Sequence, residues 1–241
     1  MLVNLTLLLH FLSRESWGCR IVFFKSFHID NISSILNAYG VFNSIFKYYA
    51  STLRKSIDNE VLMGTLRTRS ISAHYNYLLL DGTMLSNLLK RLDNNVITNE
   101  DIEDFIQCIF YIGKGFTNRK YKHFVDSNLS KTSPLDIKLD MKSYKIIKLW
   151  DKGNGLAVLQ LVHDLSHFEA LSREYAMIKA VNLDNITNII NSSCYGCMLK
   201  WNCNEIYNFG RMCFYSSLLC VLNGPPKLWV WSDCLPTYNK S

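Results

Sequence analysis

The stretch F-I-Q-C-I-F-Y-I-G-K-G-F-T-N-R-K-Y-K-H, Phe105 to His123, decides how the rest of the chain is read. Its first half has strand periodicity. Ile106, Cys108, Phe110 and Ile112 alternate on one apolar face, and Gln107, Ile109 and Tyr111 lie on the other. Gly113 and Gly115 read as the end of that strand, where backbone or ligand can approach closely. Thr117 reads as the cap of a following helix. On that helix Tyr121, Phe124, Val125 and Leu129 form an apolar stripe. Arg119 and His123 are four apart and stack together away from it. A tyrosine, a lysine (Lys114), an arginine and a histidine therefore meet at one strand-to-helix corner, a setting suited to phosphate.

Working outward, Tyr75 to Leu80 reads as an earlier strand, with Tyr75, Tyr77 and Leu79 on one face, and Asp81-Gly82 as a turn. Residues 83–104 are a polar insertion with a short helix near Leu85 to Leu92. Asn128 to Pro134 reads as a loop. Met141 to Lys152 reads as a helix with Tyr144, Ile147 and Leu149 inward and Lys142, Lys145, Lys148 and Lys152 partly outward. Gly153 and Gly155 stop it. Leu156 to Val162 is a third strand, His167 to Val181 a helix, and Glu205 to Leu222 a final helix closed by Gly224-Pro225-Pro226. Trp229 and Trp231 belong to a tail. The expected fold is α+β, a small antiparallel sheet of about three strands flanked by helices. The expected division is a helical region of unclear identity at 1–70, the main domain at 71–223 and a tail at 224–241. Within the first region, Leu2 to Phe11 and Ile32 to Tyr49 have helical apolar spacing.

The totals narrow the class. The chain has 241 residues, 49% hydrophobic and 19% charged, which is globular rather than disordered. Net charge is +6, and Gly113 to Lys152 alone holds ten Lys and Arg against four Asp. Such a block points to an anionic partner, most simply nucleic acid, or to a solvated helix face. The eight cysteines sit mostly inside apolar runs, as with Cys108, Cys213 and Cys220, so buried free thiols in a reducing compartment are expected. Cys194, Cys197 and Cys203 have part of a zinc-site spacing without an evident fourth ligand. Met1 to Leu12 is apolar but lacks a basic start and is too short to span a bilayer. It reads as a core helix or strand, with a signal peptide as the other reading. No membrane association is expected, and the nucleus or cytoplasm is the expected compartment.

Glu174 is the sharpest chemical clue. On a helical wheel Ala170, Leu171, Met177, Ile178 and Val181 surround it, and Ser172, Arg173 and Lys179 lie opposite. A carboxylate on an apolar face is costly to bury without a positive partner. No basic residue lies three or four positions away. A divalent cation, or an ion pair with a distant Lys or Arg, would compensate it. One carboxylate plus waters suits Mg2+ or Mn2+, which keep most of their water and take phosphate as a further ligand. His163 and His167 read as structural.

Taken in order, Y-N-Y-L-L-L-D (75–81), I-F-Y-I-G-K-G (109–115), Arg119 and His123 in R-x3-H spacing, R-E-Y-A-M-I (173–178), I-T-N (186–188) and C-Y-G (194–196) resemble the GIY-YIG endonucleases. More specifically they resemble the nuclease domain of the animal ankyrin-repeat and LEM-domain endonucleases. The long link between the two tyrosine strands departs from the generic family but is similar to that branch. The resemblance covers roughly Ser72 to Leu222. The ankyrin repeats and LEM domain of that branch are not readable in residues 1–70, where Asn31 to Ile57 offers a LEM-like helical pair.

The resemblance implies a metal-dependent DNA endonuclease that leaves a 5′ phosphate, contacts mainly phosphates, and acts on branched, bridged or otherwise structured DNA with little sequence specificity. It implies one metal ion at Glu174 and a water activated by Tyr111 and oriented by Tyr77. It also implies Arg119 as the stabiliser of phosphate charge and His123 as proton acceptor or phosphate ligand. Lys114 and Asn188 become substrate contacts, and Lys145 and Lys148 of the basic block join them. Away from the resemblance, each tyrosine reads as a packing residue, Arg119 and His123 as surface residues, and Asn188 as a turn residue. Two other readings stay open: a non-catalytic nucleic-acid-binding or adaptor module that keeps the fold, and a secreted cysteine-rich protein.

Overall fold

A computed structural model describes residues 32–67, 73–92, 97–132 and 140–234. The readings for Met1 to Leu12, and the ends of the loop and tail at 133–139 and 235–241, lie outside the described residues. The order of elements is α1 (Ile32–Leu62), β1 (His74–Asp81), α2 (Gly82–Leu92), α3 (Asn99–Cys108), β2 (Ile109–Phe116), α4 (Arg119–Thr132), α5 (Met141–Asp151), β3 (Leu156–Gln160), α6 (His167–Val181), α7 (Cys203–Asn223) and β4 (Leu228–Trp229). The fold is α+β, as the sequence implies. The antiparallel sheet runs β2-β1-β3-β4, so a fourth short strand from the tail joins the three that were read, through Leu156 opposite Trp229.

The helix-to-strand boundary falls inside the Phe105–His123 stretch. Ile106 and Cys108 are helical, not part of the strand. Thr98 and Asp101 form a reciprocal capping box that starts α3. The helix then runs until Ile109, and β2 follows with no loop between. Gly113 and Gly115 do not end β2; they lie within it, opposite Tyr77 and Tyr75. A Cβ on Gly113 would stand 2.6 Å from the Tyr77 ring, and one on Gly115 2.5 Å from the Tyr75 ring. The two glycines are seats for the two tyrosine rings. Strand termination has nothing to do with them.

Thr117 has φ +51, outside the extended conformation of an N-cap, and its carbonyl accepts from the Tyr75 hydroxyl at 2.7 Å. α4 continues through Thr132, so residues 128–132 are helix and not loop. Its buried face is His123, Phe124 and Ser127; Val125 and Leu129 of the expected stripe are exposed. α5 begins at an Asp140 cap and buries Ile146, Leu149 and Trp150, while Tyr144 points outward.

The sheet separates two packed layers. On one face Leu78, Leu80, Ile109, Ile112, Ala157 and Leu159 pack under α6 and α7. α1 completes that layer with Phe42, Leu53 and Ile57, and Phe42 meets Tyr215 edge-on at 4.4 Å. α1 is also tied by Arg54, which shares Glu169 with Arg173 at 2.9 Å each. Ser172 and Arg173 are therefore buried, because α6 is covered on more than one side. On the other face Tyr75, Tyr77, Leu79, Phe110, Phe124, Ile146 and Trp150 form a smaller, aromatic layer under α4 and α5. Six cysteines, at 108, 194, 197, 203, 213 and 220, are free thiols; Cys108 and Cys213 are buried as expected, whereas Cys220 is exposed. Among the described residues no helix is long and apolar enough to cross a membrane.

Candidate active site

β2 is an edge strand, and its outer edge explains why the site assembles there. An edge strand presents unpaired N–H and C=O groups. Here side chains from the segment after α6, and from α6 itself, satisfy them. The Ile112 N–H donates to Asn188 Oδ1 at 3.0 Å, and Asn188 Nδ2 donates to the Ile112 carbonyl at 2.7 Å. Thr187 donates twice to the Phe110 carbonyl, through its N–H at 2.7 Å and its hydroxyl at 2.8 Å. The Lys114 N–H donates to Glu174 Oε1 at 3.2 Å. Asn188 thus mimics a neighbouring strand, with both ends of its amide engaged, and Glu174 is brought against the Gly113–Gly115 part of the β2 edge.

Register decides which side chains face the cleft. Tyr77 opposes Gly113 and Leu79 opposes Tyr111, so Tyr75, Tyr77 and Tyr111 share one face. A bulge between Leu79 and Leu80 lets Phe110 join the same aromatic layer while Ile109 stays in the aliphatic one. The Tyr77 and Tyr111 rings lie 6.1 Å apart and their hydroxyls are hydrogen-bonded. Behind them the Tyr77 oxygen is 2.5 Å from His123 Nε2. His123 is only 7% exposed. The spacing with Arg119 placed it on the helix correctly, but the ring lies under Tyr77 instead of facing solvent.

The cleft in front of this layer has a volume of about 550 Å³. Tyr111, Lys114, Arg119, Glu174 and Asn188 all line it, with Tyr77 and His123 behind its wall. Lys145 and Lys148 are not in it. Lys145 lies 3.7 Å from Asp81, and Lys148 reaches over the Tyr144 ring.

Electrostatics follow from burial. Burial raises the Glu174 carboxyl above its ordinary range, against the Ser192 hydroxyl at 2.8 Å and the nearby Lys114 and Arg119 charges. Burial, and then Glu174, raise the Tyr111 phenol; burial and Tyr111 raise Tyr77 further. His123 is held down at about 3 by burial, helped by Lys142 and Arg119, so its ring is neutral across the physiological range. Lys114 is lowered by burial.

A divalent ion fits this donor set. Glu174 is a half-buried carboxylate fronting the cleft, the other lining carboxylate, Asp140, is paired with Lys142 at 3.8 Å, and among the described residues no three His, Cys, Asp or Glu side chains cluster as a closed metal cage. That arrangement suits an ion that keeps most of its water, and not a structural zinc.

Four contributors were given no role in the site by the sequence. Ser192 holds Glu174 from eighteen positions away. Lys142 stands over the Tyr111 ring at 4.8 Å. His167, read as structural, lines the cleft with Nδ1 3.0 Å from Lys114 Nζ. Tyr75 binds the α4 entry through Thr117 and the Lys120 N–H. Only the convergence of distant segments reveals them, except that Tyr75 shares its strand face with Tyr77.

Residues 74–226 match the family model described as the LEM-3-like GIY-YIG domain. The chain is 32% identical over 127 residues to the ankyrin repeat and LEM domain-containing protein 1 homolog of Caenorhabditis elegans, covering 52% of this chain and 17% of that protein. It is 27% identical over 154 residues to ankyrin repeat and LEM domain-containing protein 1 of Homo sapiens, covering 63% and 25%. The Mus musculus protein of that name is 28% identical over 148 residues, covering 61% and 27%. The chain thus spans about a sixth to about a quarter of the length of the curated relatives it matches. No solved structure matches it.

Proposed function

The chain belongs to the LEM-3-like GIY-YIG domains, and from that premise we propose that it is a metal-dependent endonuclease hydrolysing phosphodiester bonds in branched or otherwise structured DNA. Family membership supports the nuclease role. The observation that carries the finer reading is the single cleft in which one half-buried carboxylate, Glu174, faces Arg119 and Lys114 while a hydrogen-bonded tyrosine pair forms the wall.

Each residue then has a task. Arg119 and Lys114 receive the scissile phosphate, and the arginine fork stabilises the charge that develops on it. Glu174 would hold one Mg2+ or Mn2+, which when bound polarises the phosphate and stabilises the leaving 3′ oxygen. Tyr111, as the phenolate, takes the proton of the attacking water. Arg119 and the Tyr77 hydroxyl stabilise that phenolate, and the neutral His123 ring, its Nε2 against the Tyr77 oxygen, holds Tyr77 in place instead of accepting a proton. Arg119 favours the anionic form of that phenol, while Lys142 over its ring is paired with Asp140, whose charge opposes it. Asn188 positions the loop and the β2 edge. Lys145 and Lys148, outside the cleft, would bind backbone phosphates away from the cut. The product carries a 5′ phosphate.

The test is nicking of supercoiled plasmid and of a branched duplex, with magnesium or with EDTA. Magnesium-dependent cutting with 5′-phosphate ends is the expected result. DNA binding without any metal-dependent cutting would overturn the proposal and leave the binding-module reading.

A further inference from the structure

We propose that Ile189 and Ile190 form a wedge that enters an opened base step beside the scissile phosphate, so that the preferred DNA is one whose stacking is already interrupted. This rests on reading the cleft as a DNA-cutting site. Ile189 and Ile190 are 79% and 76% exposed, yet both line the cleft that holds Arg119, Lys142 and Glu174. Two adjacent bare isoleucines are unusual next to a cationic groove unless something covers them.

The tip is held from both sides. On its N-terminal side Thr187 and Asn188 are bonded to the β2 edge. On its C-terminal side the Ser192 hydroxyl lies within hydrogen-bond distance of Glu174 Oε2, at 2.8 Å, and of the Leu171 carbonyl, at 3.1 Å. Only residues 189–191 span between these anchors, so the side chains are presented at a set distance from the Glu174 carboxylate.

The occupant follows from charge. Lys114, Arg119 and Lys142 place a phosphate backbone in the same cleft. An apolar side chain beside a bound phosphate meets base edges. Aliphatic wedges between base steps unstack and kink the duplex, and the cost is least where the step is already open. Phe116, 47% exposed and lining the same cleft, offers an aromatic face on which a released base can stack.

The test uses a branched duplex with 2-aminopurine at the branch step. Binding is read by anisotropy and unstacking by fluorescence, both in EDTA; cutting is then read after adding magnesium. The parent should bind with a rise in fluorescence. The exposed double variant Ile189→Ser/Ile190→Ser should bind within about threefold of the parent, since phosphate contacts dominate affinity. It should lose most of the fluorescence rise and the preference for branched over intact duplex. Ile189→Leu/Ile190→Leu should retain both. A serine variant with the parent's fluorescence and preference would refute the wedge alone and leave the tip to a protein partner. A parent that never cuts after magnesium is added would refute the nuclease reading beneath it.

Discussion

The two faces of the sheet are built from the same strands and do opposite work. β1 sends Leu78 and Leu80 into the aliphatic layer under α6, α7 and α1, and sends Tyr75, Tyr77 and Leu79 into the aromatic layer under α4 and α5. The aliphatic side holds most of the buried residues, and from it His74 of β1 and Glu174 of α6 reach the cleft only at its margin with β2. The aromatic side is thin, and its tyrosines are packing residues and site residues at once. Such a division lets one face carry stability while the other holds polar hydroxyls near a cleft. It also means that damage on the two faces should be distinguishable by experiment.

The largest expected effect is at the cleft. Glu174→Gln should reduce cleavage by roughly 10³-fold, about 4 kcal/mol in barrier, with DNA binding retained. The glutamine amide still meets the Lys114 N–H and Ser192. Because burial raises the Glu174 carboxyl, its charged form costs stability above its unfolded range, and that cost is relieved as pH falls through the raised value. The neutral variant should therefore melt at or above the parent temperature at pH 7. Magnesium-dependent cutting at the parent rate would remove Glu174 from the metal site.

Next comes the aliphatic face. Leu218 is fully buried there, and Leu218→Ala should cost about 3 kcal/mol of unfolding free energy. Its cleavage rate per folded molecule should stay within twofold of the parent. A large rate defect in protein shown by melting to be folded would mean that the two layers are coupled.

A smaller effect is expected where the layers meet. The methyl of Gly113→Ala collides with the Tyr77 ring, so the ring must shift and the Tyr111–Tyr77–His123 chain lengthens. Cleavage should fall by about 30-fold, near 2 kcal/mol. Single-turnover rates equal to the parent's would show that the tyrosine seat is not needed for chemistry.

The smallest effect is a pH slope. His123 is neutral in the fold down to about 3, whereas the unfolded ring takes a proton near its ordinary value of 6.5. The unfolded state then binds more protons between those values, so stability falls as pH drops below about 6.5, by at most about 1.4 kcal/mol per pH unit. Urea unfolding of parent and His123→Gln from pH 7.5 to 5 should show a flatter slope in the variant. Equal slopes would mean that His123 is not buried neutral.

The placement of the motif residues was legible from local spacing, the tyrosines on alternate strand positions and Arg119 and His123 one helical turn apart, whereas their roles came only with the family resemblance. The helix carrying Glu174 was legible to its ends, His167 and Val181, since Ser166 caps it and Asn182 closes it at φ +71. What failed locally failed for identifiable reasons. The run from Phe105 to Cys108 is apolar enough for either period, and the capping box at Thr98 that decides for helix lies seven residues upstream. Gly113 and Gly115 looked like breakers because their reason for being glycine is the ring on the neighbouring strand. Ser172 and Arg173 lie opposite Glu174 on an isolated wheel, which does not mark them as buried, but α7 and Glu169 cover them. Ser192, Lys142 and His167 reach the cleft only through tertiary convergence, which one-dimensional spacing does not encode.

The measurement closest to the central claim is the single-turnover cleavage rate of Tyr111→Phe on branched DNA, with thermal melting as the folding control. The substitution removes one oxygen and almost no volume, so packing against Tyr77 and His123 should hold. If Tyr111 accepts the water's proton, the rate should fall by about 10²-fold or more while the melting temperature stays near the parent's. Tyr77→Phe should also be impaired, and the double variant should be little slower than the slower single one, because the pair serves one water. A Tyr111→Phe protein that melts normally and cuts at the parent rate would contradict the account.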